Sequence, residues 1–128
     1  MDNSQNWLAG KRCLVLDDEF LIALDLHQLF ESAGAIVTSV ASATEALGLL
    51  NGGQSYDLAV LDVKLGGAGE SSMAVAQRLA AGATPVIFLT GMRVDPALAQ
   101  QFANAQVLEK PYDPPALFQA VRRVLAFG

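Results

Sequence analysis

Cys13-Leu14-Val15-Leu16-Asp17-Asp18 is an apolar run that stops on two adjacent carboxylates. A short uninterrupted apolar run bounded by polar residues is how a strand buried on both faces of a parallel sheet reads. The same figure recurs along the chain. Leu58-Ala59-Val60-Leu61 stops on Asp62, Val86-Ile87-Phe88-Leu89 on Thr90, and Val107-Leu108-Glu109 on Lys110. In an open parallel sheet the carboxyl ends of the strands form the edge where ligands bind. Three carboxylates, a hydroxyl and an amine are therefore directed to one edge of one sheet.

Between these runs the pattern is helical. Over residues 20–33, Ile22, Leu26, Leu29 and Ala33 form an apolar stripe, and Gly34 supplies a stop. Ser42 with Glu45 three residues on reads as a capping box opening a helix to Leu50, which Asn51-Gly52-Gly53 ends. Helices are also expected over 71–81, over 95–103 behind Asp95-Pro96, and from Asp113-Pro114 to about residue 126. Strands are expected over 12–17, 35–40, 57–61, 85–89 and 106–109. Five strand–helix units predict an α/β domain with a doubly wound, five-stranded parallel sheet and five helices. The usual strand order for five such units, 2-1-3-4-5, sets the first and third strands side by side, so that Asp17, Asp18 and Asp62 converge. Residues 1–10 read as a loosely held N-terminal arm, and 11–128 as the domain.

At 128 residues the chain is one domain with enough length for a proper core. The net charge of −5, with only the adjacent basic pairs Lys11-Arg12 and Arg122-Arg123, argues against nucleic-acid binding. No membrane interaction is expected: the uncharged stretch 79–92 is too short to span a bilayer and contains Gly82 and Pro85. No basic-then-apolar leader opens the chain, and its one cysteine, Cys13, lies inside an apolar run as a small buried residue. A reduced, cytoplasmic setting is the expectation. His27, one place off the stripe of its helix, reads as a solvated surface residue, and Asp57 as a turn residue that opens its strand.

Three crowded carboxylates repel one another unless a proton or a cation neutralises them. Oxygen ligands without nearby histidine or cysteine favour Mg²⁺, which keeps several waters and needs few protein carboxylates. With that charge in place Asp62 can attack phosphorus to give an acyl phosphate, while Lys110 and Thr90 supply a positive charge and a hydroxyl donor to the phosphoryl oxygens.

With Asp17-Asp18 followed by Glu19, then Asp62, Thr90 and Lys110-Pro111, the chain resembles the receiver domains of bacterial two-component response regulators over residues 11–127. The resemblance implies a flavodoxin-like fold and a phosphoprotein whose Asp62 is the phosphoacceptor for a histidine kinase or phosphorelay (phosphotransfer) protein. It also implies Mg²⁺ held by Asp18, Asp62 and the backbone carbonyl of Lys64, with Asp17 acting mostly through water, and a cis Lys110-Pro111 bond. A cis bond also suits a lysine that must turn back over the sheet edge. The expected activity is signal transduction by phosphorylation-dependent binding of a downstream protein target, with no catalysis beyond self-catalysed phosphotransfer and dephosphorylation. A monomer or weak dimer is expected.

The sequence departs from the common receiver pattern at three places. Gly66 stands where proline is common, Lys64 overhangs the phosphoryl site, and Val107 replaces the usual aromatic on the fifth strand. Phe88-Leu89-Thr90-Gly91 is similar to the Phe-Ala-Thr-Gly stretch of an atypical single-domain subgroup, although Arg93 replaces that subgroup's tyrosine. Without the aromatic, any switching movement is expected over 91–95 and the short helix after it. Two alternatives stand beside this reading. One is a degenerate receiver acting as a constitutive interaction module or phosphate sink. The other is a phosphohydrolase of the haloacid dehalogenase type, against which Glu19 stands where the second aspartate belongs. Gly66-Gly67 lacks the following lysine and hydroxyl of a P-loop.

Overall fold

In the computed structural model, residues 6–63, 72–91, 100–102 and 105–125 are described. Five parallel strands, β1 (Arg12–Leu16), β2 (Ile36–Val40), β3 (Leu58–Asp62), β4 (Val86–Thr90) and β5 (Gln106–Glu109), form one sheet in the order β2-β1-β3-β4-β5. Four described helices accompany it: α1 (Phe20–Ser32), α2 (Ala43–Asn51), α3 (Ser72–Ala81) and the C-terminal helix α4 (Pro114–Leu125). The helix expected over 95–103 lies outside the described residues except at 100–102, where Gln100 and Gln101 are helical. Lys64, the glycine loop 66–69 and Arg93 also lie outside them.

Alternation along the strands divides the core in two. Cys13, Val15, Leu58, Val60, Ile87 and Leu89 face one layer, with Leu26 and Phe30 of α1 and Leu117 and Val121 of the C-terminal helix. Leu14, Leu16, Ala59, Leu61 and Phe88 face the other, with Ala46 of α2 and Val75 and Leu79 of α3. Central strands with no solvated face have no polar alternation, which is why β3 and β4 are buried at every position. Each fully buried leucine or phenylalanine contributes about 1.5–3 kcal/mol.

Strand ends differ from expectation by single residues. Asp62 and Thr90 lie within β3 and β4, whereas Asp17 falls just beyond β1. There the Asp17 Oδ1 accepts the Glu19 N–H at 2.9 Å, turning the chain. Asp57 stays outside β3, its Oδ2 accepting the Arg12 N–H at 2.9 Å. The capping box forms, with the Glu45 N–H donating to Ser42 Oγ at 3.1 Å. The Glu45 carboxylate reaches the Ala41 N–H at 3.3 Å, one residue ahead of the cap.

Residues 6–10 are not loosely held. Leu8 is 1% exposed and belongs to the α1-side core, and its N–H donates to the Ala33 carbonyl at 2.8 Å. Trp7 sits edge-on to Phe118 at 5.6 Å, and the Arg122 guanidinium lies 4.6 Å from its ring centre. Gly34 makes room for this turn: its φ is +98°, and a Cβ there would come within 3.1 Å of Ala9 Cα. His27 likewise is half-buried. Its Nδ1 lies 3.0 Å from Ser39 Oγ on β2 and its Nε2 3.1 Å from Glu31 Oε2, so it ties α1 to the sheet. Cys13 is fully buried as expected, and burial followed by the charge of Asp57 pushes its thiol pKa up to about 12.

Candidate functional site

The register of the sheet assembles the site. Leu16 pairs with Leu61, so the next residues, Asp17 and Asp62, emerge together at the carboxyl edge. Asp62 pairs with Leu89 and Thr90 with Glu109, placing the Thr90 hydroxyl and Lys110 beside them. Asp17, Asp62 and Thr90 are 2%, 3% and 8% exposed and, with Ser72, are the buried polar side chains among the described residues. Asp18 is exposed.

Backbone bonds lock these ends. The Asp17 N–H donates to the Val40 carbonyl at 3.2 Å, Val63 to Leu89 at 2.8 Å and Lys110 to Thr90 at 2.7 Å. The buried Ser72 at the start of α3 donates its hydroxyl to the Val63 carbonyl at 3.0 Å, fixing the residue after Asp62. The Lys110-Pro111 bond is cis, as expected.

From the end of β5 the Lys110 ammonium crosses to the front of β3 and β1. It lies 2.9 Å from Glu19 Oε1, 3.1 Å from Asp17 Oδ2 and 3.4 Å from Asp62 Oδ2. Burial works to lower the lysine pKa, but its hydrogen bond to Glu19 and its close ion pairs with Asp17 and Asp62 outweigh that and hold it above the ordinary value. The side chain is a fixed ammonium.

Carboxylate oxygens of Asp17, Asp18 and Asp62 lie within 4.8 Å of one another, close enough to share one cation. Asp17 Oδ2 is buried and accepts no well-directed hydrogen bond from the described residues, although Lys110 stands 3.1 Å away. An all-oxygen cluster with an under-satisfied buried carboxylate fits a hard cation such as Mg²⁺. The remaining expected ligand, the carbonyl of Lys64, lies outside the described residues.

The structure thus brings together Asp17, Asp18, Asp62, Thr90 and Lys110. The response regulator receiver domain model matches residues 13–122. The chain belongs to the receiver domain family of two-component response regulators. This receiver is 26% identical to the response regulator receiver protein of Sinorhizobium medicae, with a TM-score of 0.83 over 93% of this chain and 97% of that one. The receiver protein of Burkholderia phymatum is 30% identical, with a TM-score of 0.76 over 91% and 95% of the two chains. The phyllosphere-induced regulator PhyR of Methylorubrum extorquens is 31% identical over 115 residues, spanning 89% of this chain and 43% of that regulator. The receiver therefore spans less than half the length of that curated relative.

Two contributors were not legible as site residues. Glu19 was visible only as the acid after the pair, yet it is the nearest carboxylate to Lys110. Tyr112 donates to Asp25 Oδ2 on α1 at 2.9 Å, steadying the turn that carries the lysine. No sequence pattern links either pair. On the face of the sheet that carries Val107, a ring is supplied by Phe102, whose centre lies 5.3 Å from that of Phe88. Among the described residues no helix is long and apolar enough to cross a membrane.

Proposed function

We propose that this receiver accepts a phosphoryl group on Asp62 from a histidine kinase or phosphotransfer protein, and that the phosphorylated form docks on a downstream protein. The observation that carries the reading is the Lys110 ammonium, led back over the sheet edge to within 3.4 Å of Asp62 Oδ2. A lysine spent on a mere surface contact has no reason to be held largely out of solvent among acids at the end of three strands.

In the transfer, an Asp62 carboxylate oxygen bonds to phosphorus as the P–N bond of the donor's phosphoimidazole breaks. With its other ring nitrogen protonated, the donor leaves as neutral imidazole, the P–N electron pair remaining on nitrogen. Lys110 offers its ammonium to the equatorial phosphoryl oxygens, and Thr90 offers its hydroxyl from the neighbouring strand end. Asp17, Asp18 and Asp62 would hold a Mg²⁺ ion, which when bound would supply the positive charge that lets an anionic donor approach three carboxylates. Asp17 Oδ1 keeps the turn after β1 in place through the Glu19 N–H. The acidic net charge and reduced Cys13 suit a cytoplasmic protein that binds proteins and not nucleic acid.

The test is labelling with phosphoramidate in Mg²⁺, read by intact mass. Wild type gains one phosphoryl group, and Asp62→Asn and metal chelation both abolish the gain. Equal labelling of wild type and Asp62→Asn overturns the assignment.

A further inference from the structure

Glu19 stands at the N-cap of α1 with extended backbone (φ −89°, ψ 107°), but its side chain makes no capping hydrogen bond. The short side chains of Ser, Thr, Asp and Asn cap the free amides of the first turn from that position, and the longer glutamate is left free to reach elsewhere. Here it is turned away from its own helix and lies 2.9 Å from the Lys110 Nζ, nearer than either Asp17 or Asp62. Its backbone is fixed for this reach, since the Glu19 N–H is bound by Asp17 Oδ1.

An ammonium has three donors, and Lys110 faces three carboxylates. A phosphoryl group on Asp62 inherits the donor aimed at that residue, and its further oxygens compete with Asp17 and Glu19 for the other two. The Asp17 side chain is 0% exposed and cannot exchange its ion pair for water, whereas that of Glu19 is 59% exposed and can. Glu19 is the partner that releases.

Resting on the assignment of Asp62 as acceptor, we propose that Glu19 is a positioning residue that parks the Lys110 ammonium in the phosphate-free state and competes with the phosphoryl group for it. The geometry makes Glu19 a brake on the phosphorylated state, set by a side chain outside the phosphoacceptor and metal-binding set. Because the Glu19 end of the pair is largely exposed, the brake is modest and sensitive to salt.

The experiment is a titration with beryllofluoride, a phosphoryl mimic, at saturating Mg²⁺, followed by amide NMR shifts of the full chain. Glu19→Gln should bind about two- to fivefold more tightly than wild type at low salt, and Glu19→Ala should shift in the same direction. The difference should close at high salt, which a purely structural effect of the substitutions would not do. Wild type that binds the mimic while both variants bind it equally or more weakly overturns the brake and leaves the Asp62 assignment standing. Wild type that does not bind the mimic at all overturns both.

Discussion

The Tyr112 hydroxyl donates to Asp25 Oδ2 at 2.9 Å, so the turn carrying Lys110 is fastened to α1 two residues beyond the lysine. Burial first, and then the Asp25 carboxylate, hold the phenol above its ordinary pKa. Tyr112→Phe keeps the ring and removes the bond, and should destabilise the fold by about 0.5–1.5 kcal/mol. Urea unfolding measures this directly. An unchanged midpoint would show that the bond contributes nothing in water.

Crowding of Asp17, Asp18 and Asp62 should make the protein's stability depend on a divalent cation. Mg²⁺ at a hundred times its dissociation constant should add about 2.7 kcal/mol. Asp18→Ala should remove most of that gain and, by relieving repulsion, raise the melting temperature of the metal-free protein. A wild-type melting temperature indifferent to Mg²⁺ would contradict the site.

Leu8 is as buried as the strand residues it meets. Leu8→Ala should therefore cost about 2–5 kcal/mol, the price of a cavity in a close-packed interior. A loss within a few tenths of a kcal/mol, measured by denaturant unfolding, would show the turn before β1 to be an appendage after all.

These findings show what the sequence could disclose. The strands were legible because Leu58-Ala59-Val60-Leu61 and Val86-Ile87-Phe88-Leu89 are buried on both faces and leave no polar gaps. The acceptor edge followed, since parallel strands end together. Glu19–Lys110 and Tyr112–Asp25 join residues 91 and 87 positions apart, and no local periodicity reports such pairs. Leu8 was missed for the opposite reason: two adjacent large apolar residues, Trp7 and Leu8, in a polar decapeptide make no periodic pattern, and the close approach of Ala9 depends on Gly34. The ties of His27 escaped the reading because the stripe locates the helix's buried face but not the Ser39 and Glu31 partners flanking it.

Cys13 should be inert in the native state, since the thiolate is the nucleophile and its pKa is pushed up to about 12. Alkylation should be slow in buffer and fast in denaturant. The shift has a linkage consequence. The unfolded thiol loses its proton near 9.0 while the folded one retains it, so this stabilisation is complete below pH 9 and is lost as pH rises toward about 12. Cys13→Ala should flatten the alkaline decline in stability relative to wild type. Identical pH profiles would contradict the shift.

The central claim is that Asp62 itself carries the phosphoryl group. Borohydride reduces an aspartyl phosphate to homoserine, leaving a permanent mark on the residue that held it. After treatment with phosphoramidate and Mg²⁺, reduction and peptide sequencing by tandem mass spectrometry should find homoserine at position 62 and aspartate retained at 17 and 18. Homoserine at 17 or 18, or at no position in a protein that has gained phosphate, would contradict it.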